Sequence, residues 1–335
     1  MKNDLDTPKL RDVAQAAGVS VITASRCISN PERVSEKTRT KVLKVAAQLG
    51  YIPNRLAAGL VSSRSMAVGV VLPTIANPIH SVLLEALARE LEPFGYHTLL
   101  GTTDYDRDKE CEVIRTLLAH KIDAIALVGK AQSEATRKLL GAARIPVAEL
   151  FELYDEPLDI NVGLSNYEAG AALARFLLAK GRQRIAYVIH SQIDDSRMMS
   201  RLEGFRTAAC AKPGVRMEIF RDSSKPGDLK ESVIGTILSS MPDADAIVCS
   251  GHQAAVTAIC TLRSQGIIVP SAIAVTGFGD SPASCWVQPS LTTVSYPMSE
   301  IGANAGQLLL ARLRGEELEN SQADLGFRII ERGST

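Results

Sequence analysis

From residue 66 onward, short apolar runs alternate with longer amphipathic stretches, and this alternation restricts the fold more than any other feature. The runs occupy 68–72, 97–101, 124–128, 146–150, 184–189, 244–249 and 273–277. Between them, 81–94, 111–120, 168–179, 200–211 and 254–265 repeat apolar residues at helical spacing. Strand and helix in alternation predict parallel sheets covered by helices. The strands are too many for one tidy sheet, so the expectation is two similar Rossmann-like subdomains. The chain has 335 residues, 46% of them hydrophobic, enough for a core of that size. No short tandem repeat or low-complexity segment interrupts the pattern.

Residues 8–50 have a different texture, that of three short helices. Leu10, Val13, Ala14 and Ala17 fall at i, i+3, i+4 and i+7, and Gly18 ends that stripe. Ser20 is placed to cap a second helix, in which Ala24 and Ile28 face inward. Asn30-Pro31 breaks it. Ser35 is placed to cap a third, with Val42, Val45, Ala46 and Leu49 inward and Gly50 as the stop.

Charge separates this head from the rest. The whole chain is formally neutral, but residues 1–64 carry eleven Lys or Arg and five acids, a net +6, leaving −6 on the remainder. A basic end on an acidic body suits a phosphate-bearing partner. Helix, Gly-containing turn, second helix is the helix-turn-helix pattern. On the outer side of the second helix, Val21, Ile22, Ser25 and Arg26 are candidates for base edges: Arg26 for guanine, Val21 and Ile22 for a thymine methyl. Ser20, Thr23, Lys9 and Arg33 are candidates for phosphates. A three-helix bundle with no ligand has the same spacing.

Residues 53–65 link head and body. Positions 54–61 amount to about two helical turns with Gly59 inside, too short to be stable alone. Asn54 and Arg55 can meet phosphates, Ala57 permits close approach, and Leu60 can wedge between base pairs in a minor groove. A plain flexible linker is the other reading.

Several classes of function are disfavoured. The six cysteines (Cys27, Cys111, Cys210, Cys249, Cys260, Cys285) form no C-x-x-C pair and read as small buried hydrophobes, so no metal is expected. The N-terminus lacks an apolar leader, and no apolar run approaches membrane-spanning length, so a cytoplasmic protein is expected. G-F-G-D-S-P at 277–282 has Pro282 where a dinucleotide loop needs its third glycine, and the five histidines show no base–nucleophile spacing. Neither enzyme nor cofactor is expected. A periplasmic sugar-binding protein fits the body but needs a leader where this chain has a basic head.

The residues resemble a known family. L-R-D-V-A-Q-A-A-G-V-S-V-I-T-A-S-R (10–26), V-S-E-K-T-R (34–39) and L-G-Y-I-P-N-R (49–55) are similar to the head of LacI/GalR regulators. I-P-V (145–147), N-Y-E-A-G (166–170), K-G-R-Q-R-I-A-Y (180–187), R-L-E-G-F (201–205), V-T-G-F-G-D (275–280) and L-T-T-V (291–294) extend the likeness along the chain. The resemblance implies a homodimer on a palindromic double-stranded operator, with a hinge helix that folds on DNA and places Leu60 in the minor groove. It implies an all-α helix-turn-helix head (1–52), a hinge (53–65) and a body like the type I periplasmic binding proteins (66–335). The body's first subdomain is placed at about 66–164 and 295–321, the second at about 165–293 and 322–335, with crossovers near 165, 294 and 322.

Within the family, P-V-A-E-L (146–150), L-D-I-N-V-G-L-S-N-Y-E-A (158–169) and L-G-F (325–327) resemble regulators of gluconate utilisation, which implies a sugar-acid effector such as gluconate or a ketogluconate. A neutral sugar or nucleobase is the alternative. Arg201 matches the family's effector-holding arginine, with Asp195 and Arg197 on the same loop, and an arginine fork suits a carboxylate. Gly251 and His252 stand where the family usually has Asn-Asp, and Gly279 where many sugar-binding members have Asp, which leaves room for an anion. Glu149 is placed either to accept from ligand hydroxyls or as a surface acid. Ile79 and His80 fall at the cleft mouth, though a lone His is more often structural. Tyr296 follows a crossover, and Trp286, the one tryptophan, reads as core or dimer interface.

Overall fold

The computed structural model describes residues 8–29, 31–52, 64–130, 133–190, 195–223 and 231–335. It comprises two units, Met1–Ser65 and Met66–Thr335.

In the first unit, α1 (Leu10–Ala17), α2 (Val21–Ser29) and α3 (Glu36–Leu49) pack around Val13, Ala14, Ala17, Ala24, Cys27, Val42 and Ala46. Small side chains on all three helices let the backbones approach closely. Gly18 and Gly50 end α1 and α3 at φ of +63° and +64°, a conformation that glycine adopts without a Cβ penalty. Ser20 Oγ accepts the Thr23 amide at 3.1 Å, the expected cap. Three details differ from expectation. Cys27 fills the core beside Ala24, because three residues bring it to the same face, and Ile28 is only half-buried. Leu49, in the last position of α3, is 39% exposed. Ser35 holds the cap position of α3, but its hydroxyl bonds the Thr38 hydroxyl at 2.9 Å and caps no amide.

The second unit contains two six-stranded sheets. The first orders its strands β11 (Gln322–Asp324), β5 (Ile160–Gly163), β4 (Val147–Leu150), β3 (Ala124–Val128), β1 (Ala67–Leu72) and β2 (His97–Thr102), all parallel. The second orders β12 (Arg328–Ile330), β10 (Thr292–Ser295), β9 (Ala274–Phe278), β8 (Ala246–Cys249), β6 (Arg184–His190) and β7 (Arg216–Asp222), parallel except where β12 runs antiparallel to β10. The central strands are apolar on both faces. On β1, Val68, Val70 and Leu72 pack with Leu83, Leu87 and Leu91 of α4 (Pro78–Leu91), whereas Val71 packs with Ile114 and Leu117 of α5 (Arg107–Ala119).

The chain crosses between sheets three times. It leaves the first after β5 and enters α7 (Asn166–Ala179), which packs on α8 (Ser196–Cys210). It returns after β10 through α12 (Met298–Leu313), which packs on α4. It crosses last at residues 325–327, a few residues beyond the expected 322, because Gln322–Asp324 pairs in parallel with β5. The remaining helices are α6 (Glu134–Ala143), α9 (Glu231–Ser240), α10 (His252–Ser264) and α11 (Pro282–Trp286). Not every cysteine is buried: Cys27 and Cys249 are, Cys111 is partly so, and Cys210, Cys260 and Cys285 are exposed. Trp286 is 77% exposed, which excludes a core role. Among the described residues, no helix is long and apolar enough to cross a membrane.

Candidate functional site

The head offers one face of α2. Val21 is 49% and Ile22 65% exposed, Arg26 is exposed, and Ser25 is half-buried. Two large apolar residues at the start of a helix, held in water by the packing behind them, form a surface that calls for a partner. Ser20 and Thr23 share a hydroxyl hydrogen bond of 2.8 Å at the same helix end. Lys9 stands at the N-terminus of α1, its amide donating to Asp12 Oδ2 at 2.8 Å, and Arg33 is exposed on the turn before α3. Asn54, Arg55, Ala57 and Leu60 lie outside the described residues.

In the second unit, loops at the C-terminal ends of the parallel strands enclose a cleft with about 650 Å³ of empty space, part of it open to solvent. Parallel α/β sheets generally bind ligands at this end. The start of α4 contributes Asn77, Ile79 and His80, with Asn77 Oδ1 capping the Ile79 amide at 3.2 Å. The start of α8 contributes Asp195, Arg197 and Arg201, and the β8–α10 turn Gly251 and His252. Tyr296 comes from the second crossover. Eight of the ten residues singled out from the sequence therefore share one wall.

The arginines are almost fully buried and have different partners. Arg197 is clamped by Asp195, Nε to Oδ1 at 2.8 Å and Nη2 to Oδ2 at 2.7 Å. Burial alone would raise the Asp195 carboxyl, but the Arg197 charge and its hydrogen bonds outweigh that and hold it below the usual carboxylate range. Arg201 Nη1 donates to Asn166 Oδ1 at 3.2 Å and to the Tyr296 hydroxyl at 3.1 Å. Both guanidiniums stack on aromatic faces, Arg197 at 5.1 Å from the Phe151 centroid and Arg201 at 5.2 Å from that of Phe278. Among the described residues that line the cleft, two guanidiniums stand against one carboxylate, so this trio carries a formal charge of +1. Among the described residues, Arg197 Nη1, Arg201 Nε and His252 Nε2 are buried and have no hydrogen-bond partner. Buried polar atoms of this kind are costly unless something fills them. His80 and His252 add no charge at neutral pH, because burial lowers each to about 4.

Two expected residues lie elsewhere. Glu149 is fully buried on β4, but Oε2 accepts the Leu158 amide at 2.8 Å and Arg137 lies 3.9 Å from Oε1, so the carboxylate is used within the fold and is absent from the cleft wall. Gly279 lies behind the wall. A Cβ there would stand 2.2 Å from Ile79 Cδ1 and 3.1 Å from His252 Nδ1, so the missing side chain makes room for these two residues. Asp280 points to Arg332, accepting at 3.0 and 2.7 Å.

The wall also contains Tyr105, Phe151, His190, Ser250 and Phe278, which sequence reasoning missed. Each lies at or just beyond the C-terminal end of a strand, a position that marks them once the strands are known. Glu152, outside the lining itself, links the two halves: it follows β4, and its Oε2 accepts from Ser196 of α8 at 3.4 Å. Burial raises its carboxyl.

Residues 9–54 match the model of bacterial regulatory proteins of the lacI family, and residues 174–335 match a periplasmic binding protein-like domain. The HTH-type transcriptional regulator GntR of Pseudomonas aeruginosa is 37% identical over 344 aligned positions, covering 100% of this chain and 99% of that protein. The chain belongs to the LacI family. This LacI-family protein is a DNA-binding transcriptional regulator and not an enzyme. Its fold agrees with solved relatives: a LacI-family regulator from Silicibacter pomeroyi aligns at a TM-score of 0.89 with 31% identity, over 98% of this chain and 99% of that one. The regulator GntR from Chromobacterium violaceum aligns at 0.73 with 33% identity, over 80% of this chain and 98% of that one.

Proposed function

We propose that this LacI-family regulator is a repressor whose cleft takes a sugar acid, with gluconate or a ketogluconate as the effector. The observation behind this reading is the unfilled donor capacity of two buried arginines: among the described residues, Arg197 Nη1 and Arg201 Nε have no hydrogen-bond partner, and Asp195, the carboxylate that lines the cleft there, is already bonded by Arg197. A carboxylate fits this donor set in charge and in hydrogen bonding. A neutral sugar would leave the formal positive charge of the trio in place. The likeness of the sequence to gluconate regulators points the same way.

On the head, Val21, Ile22, Ser25 and Arg26 read base edges, and Ser20, Thr23, Lys9 and Arg33 hold phosphates of a palindromic operator. Asn54 and Arg55 do the same from the hinge, where Ala57 and Leu60 enter the minor groove. Effector alters the closure of the two halves of the second unit, and residues 53–65 carry the change to a homodimer's paired heads. A coupling of about 1–3 kcal/mol suffices for regulation of this type. Calorimetry of the full chain against gluconate, the ketogluconates, their 6-phosphates and neutral sugars tests the reading. Binding confined to acids supports it, and tight binding of a neutral sugar with no response to acids overturns it.

A further inference from the structure

We infer that His80 makes the cleft discriminate a hydroxyl from a carbonyl on its ligand, an assignment that rests on the sugar-acid reading above. His80 lies in the first turn of α4, is 2% exposed and lines the cleft. Its Nδ1 is 2.7 Å from the carbonyl oxygen of Thr74. A carbonyl oxygen only accepts, so the proton of this hydrogen bond belongs to Nδ1. Burial, reinforced by the Arg197 charge, lowers the ring to about 4, so at neutral pH it carries one proton in total. Nε2 is then a bare lone pair. It has no hydrogen-bond partner among the described residues, and it lies on the ring edge turned away from the Thr74 loop.

The rest of the wall gives this lone pair its meaning. Arg197 and Arg201 offer donors, and both Asp195 oxygens are engaged by Arg197. A ligand carboxylate therefore goes to the arginines, and His80 Nε2 is left to accept from a ligand O–H. A hydroxyl satisfies it. A keto oxygen in the same place brings lone pair against lone pair and leaves two buried acceptors unpaired, the situation in which polar sites discriminate most strongly. The cleft is thus set for a polyhydroxy acid over the keto acid oxidised at the carbon facing His80.

Two measurements on the full-length protein test this. Nitrogen-15 NMR of histidine-labelled protein at pH 7 reports the tautomer, and the expected result is a protonated Nδ1 and an unprotonated Nε2 for His80. Calorimetry then compares D-gluconate with 2-keto- and 5-keto-D-gluconate. At least one ketogluconate is expected to bind about tenfold or more weakly than gluconate. In His80→Gln, whose amide turns either a donor or an acceptor to the ligand, that ratio is expected to fall to about twofold. A proton on Nε2, equal affinities for all three acids, or a ratio unchanged in His80→Gln each overturns the assignment. Binding of none of the acids, whatever the tautomer, overturns the sugar-acid reading on which it rests.

Discussion

Gly170 lies so close to Arg201 that a Cβ on the glycine would stand 2.0 Å from the arginine's carbonyl oxygen. The contact is mirrored three residues along α8, where a Cβ on Gly204 would stand 1.9 Å from the carbonyl oxygen of Tyr167. The crossing of α7 and α8 depends on these two absent side chains, and it brings Asn166, the first residue of α7, within reach of the Arg201 guanidinium. Gly170→Ala or Gly204→Ala must force the helices apart. Overpacking of this kind costs about 1–3 kcal/mol, occasionally more. Calorimetric melting is expected to show a lower Tm for either variant, and ligand titration a weaker acid affinity, because Arg201 moves with its helix.

Tyr296→Phe removes one of the two acceptors that orient Arg201 Nη1 but keeps the ring, which meets Phe151 edge-on at 4.9 Å. Loss of a hydrogen bond to a charged group costs about 1.5–3 kcal/mol. Acid affinity is expected to fall by about tenfold or more in titration calorimetry, with the fold intact by circular dichroism. Arg201→Lys is expected to lose more, since a point charge cannot reproduce a planar fork.

The buried histidines set a pH dependence of stability. His80 and His252 are held near 4 in the folded chain against 6.5 for the free side chain, each mainly by burial. Between those values the unfolded chain binds more protons than the folded one, so stability rises with pH there. The contribution is complete above about pH 6.5 and is lost as pH falls toward about 4, on the order of 3 kcal/mol for each group. Thermal melts at pH 7 and pH 5 are expected to show about half of that loss, and His252→Gln is expected to shrink the difference between them.

Ile22→Ala and Arg26→Ala separate recognition from stability. Both side chains are exposed, so melting is expected to change by no more than about 0.5 kcal/mol. Operator binding by fluorescence anisotropy is expected to weaken, by about 1–3 kcal/mol for Arg26→Ala through loss of a bidentate guanine contact. The affinity of the unaltered protein is expected to fall steeply as salt rises, through release of phosphate counterions.

Elements with a periodic, buried pattern were readable from the sequence. The run at 124–128 is β3, and the stripe in 8–17 is α1. The edge strand β7 and the helix α12 were not. β7 alternates charged and apolar residues (R-M-E-I-F-R-D) because one side faces water, so it shows no apolar run. In α12, Gly302, Ala303, Ala305 and Gly306 dilute the stripe, because α4 approaches too closely for larger residues: a Cβ on Gly302 would lie 2.3 Å from the Leu83 carbonyl oxygen. Arg197, Arg201 and His252 were legible through motif position. Glu149 misled because a buried carboxylate at a strand end looks the same in sequence whether it meets a ligand or, as here, the Leu158 amide nine residues on. Tyr105 and Phe151 remained hidden because an aromatic residue after a strand looks the same in sequence whether it packs in the core or faces a cleft; both adopt positive φ, +64° and +77°.

An acid in the Arg197–Arg201 cleft is predicted to control the grip of the head on DNA. The most direct test is operator binding by fluorescence anisotropy, with a palindrome selected from random sequence, while gluconate is titrated into wild type and Arg201→Ala. Gluconate is predicted to shift the operator affinity of wild type by about fivefold or more. Arg201→Ala is predicted to bind the same operator and to ignore gluconate. An equal gluconate response in both proteins, or a wild-type response to neutral sugars and to no acid, would contradict that prediction.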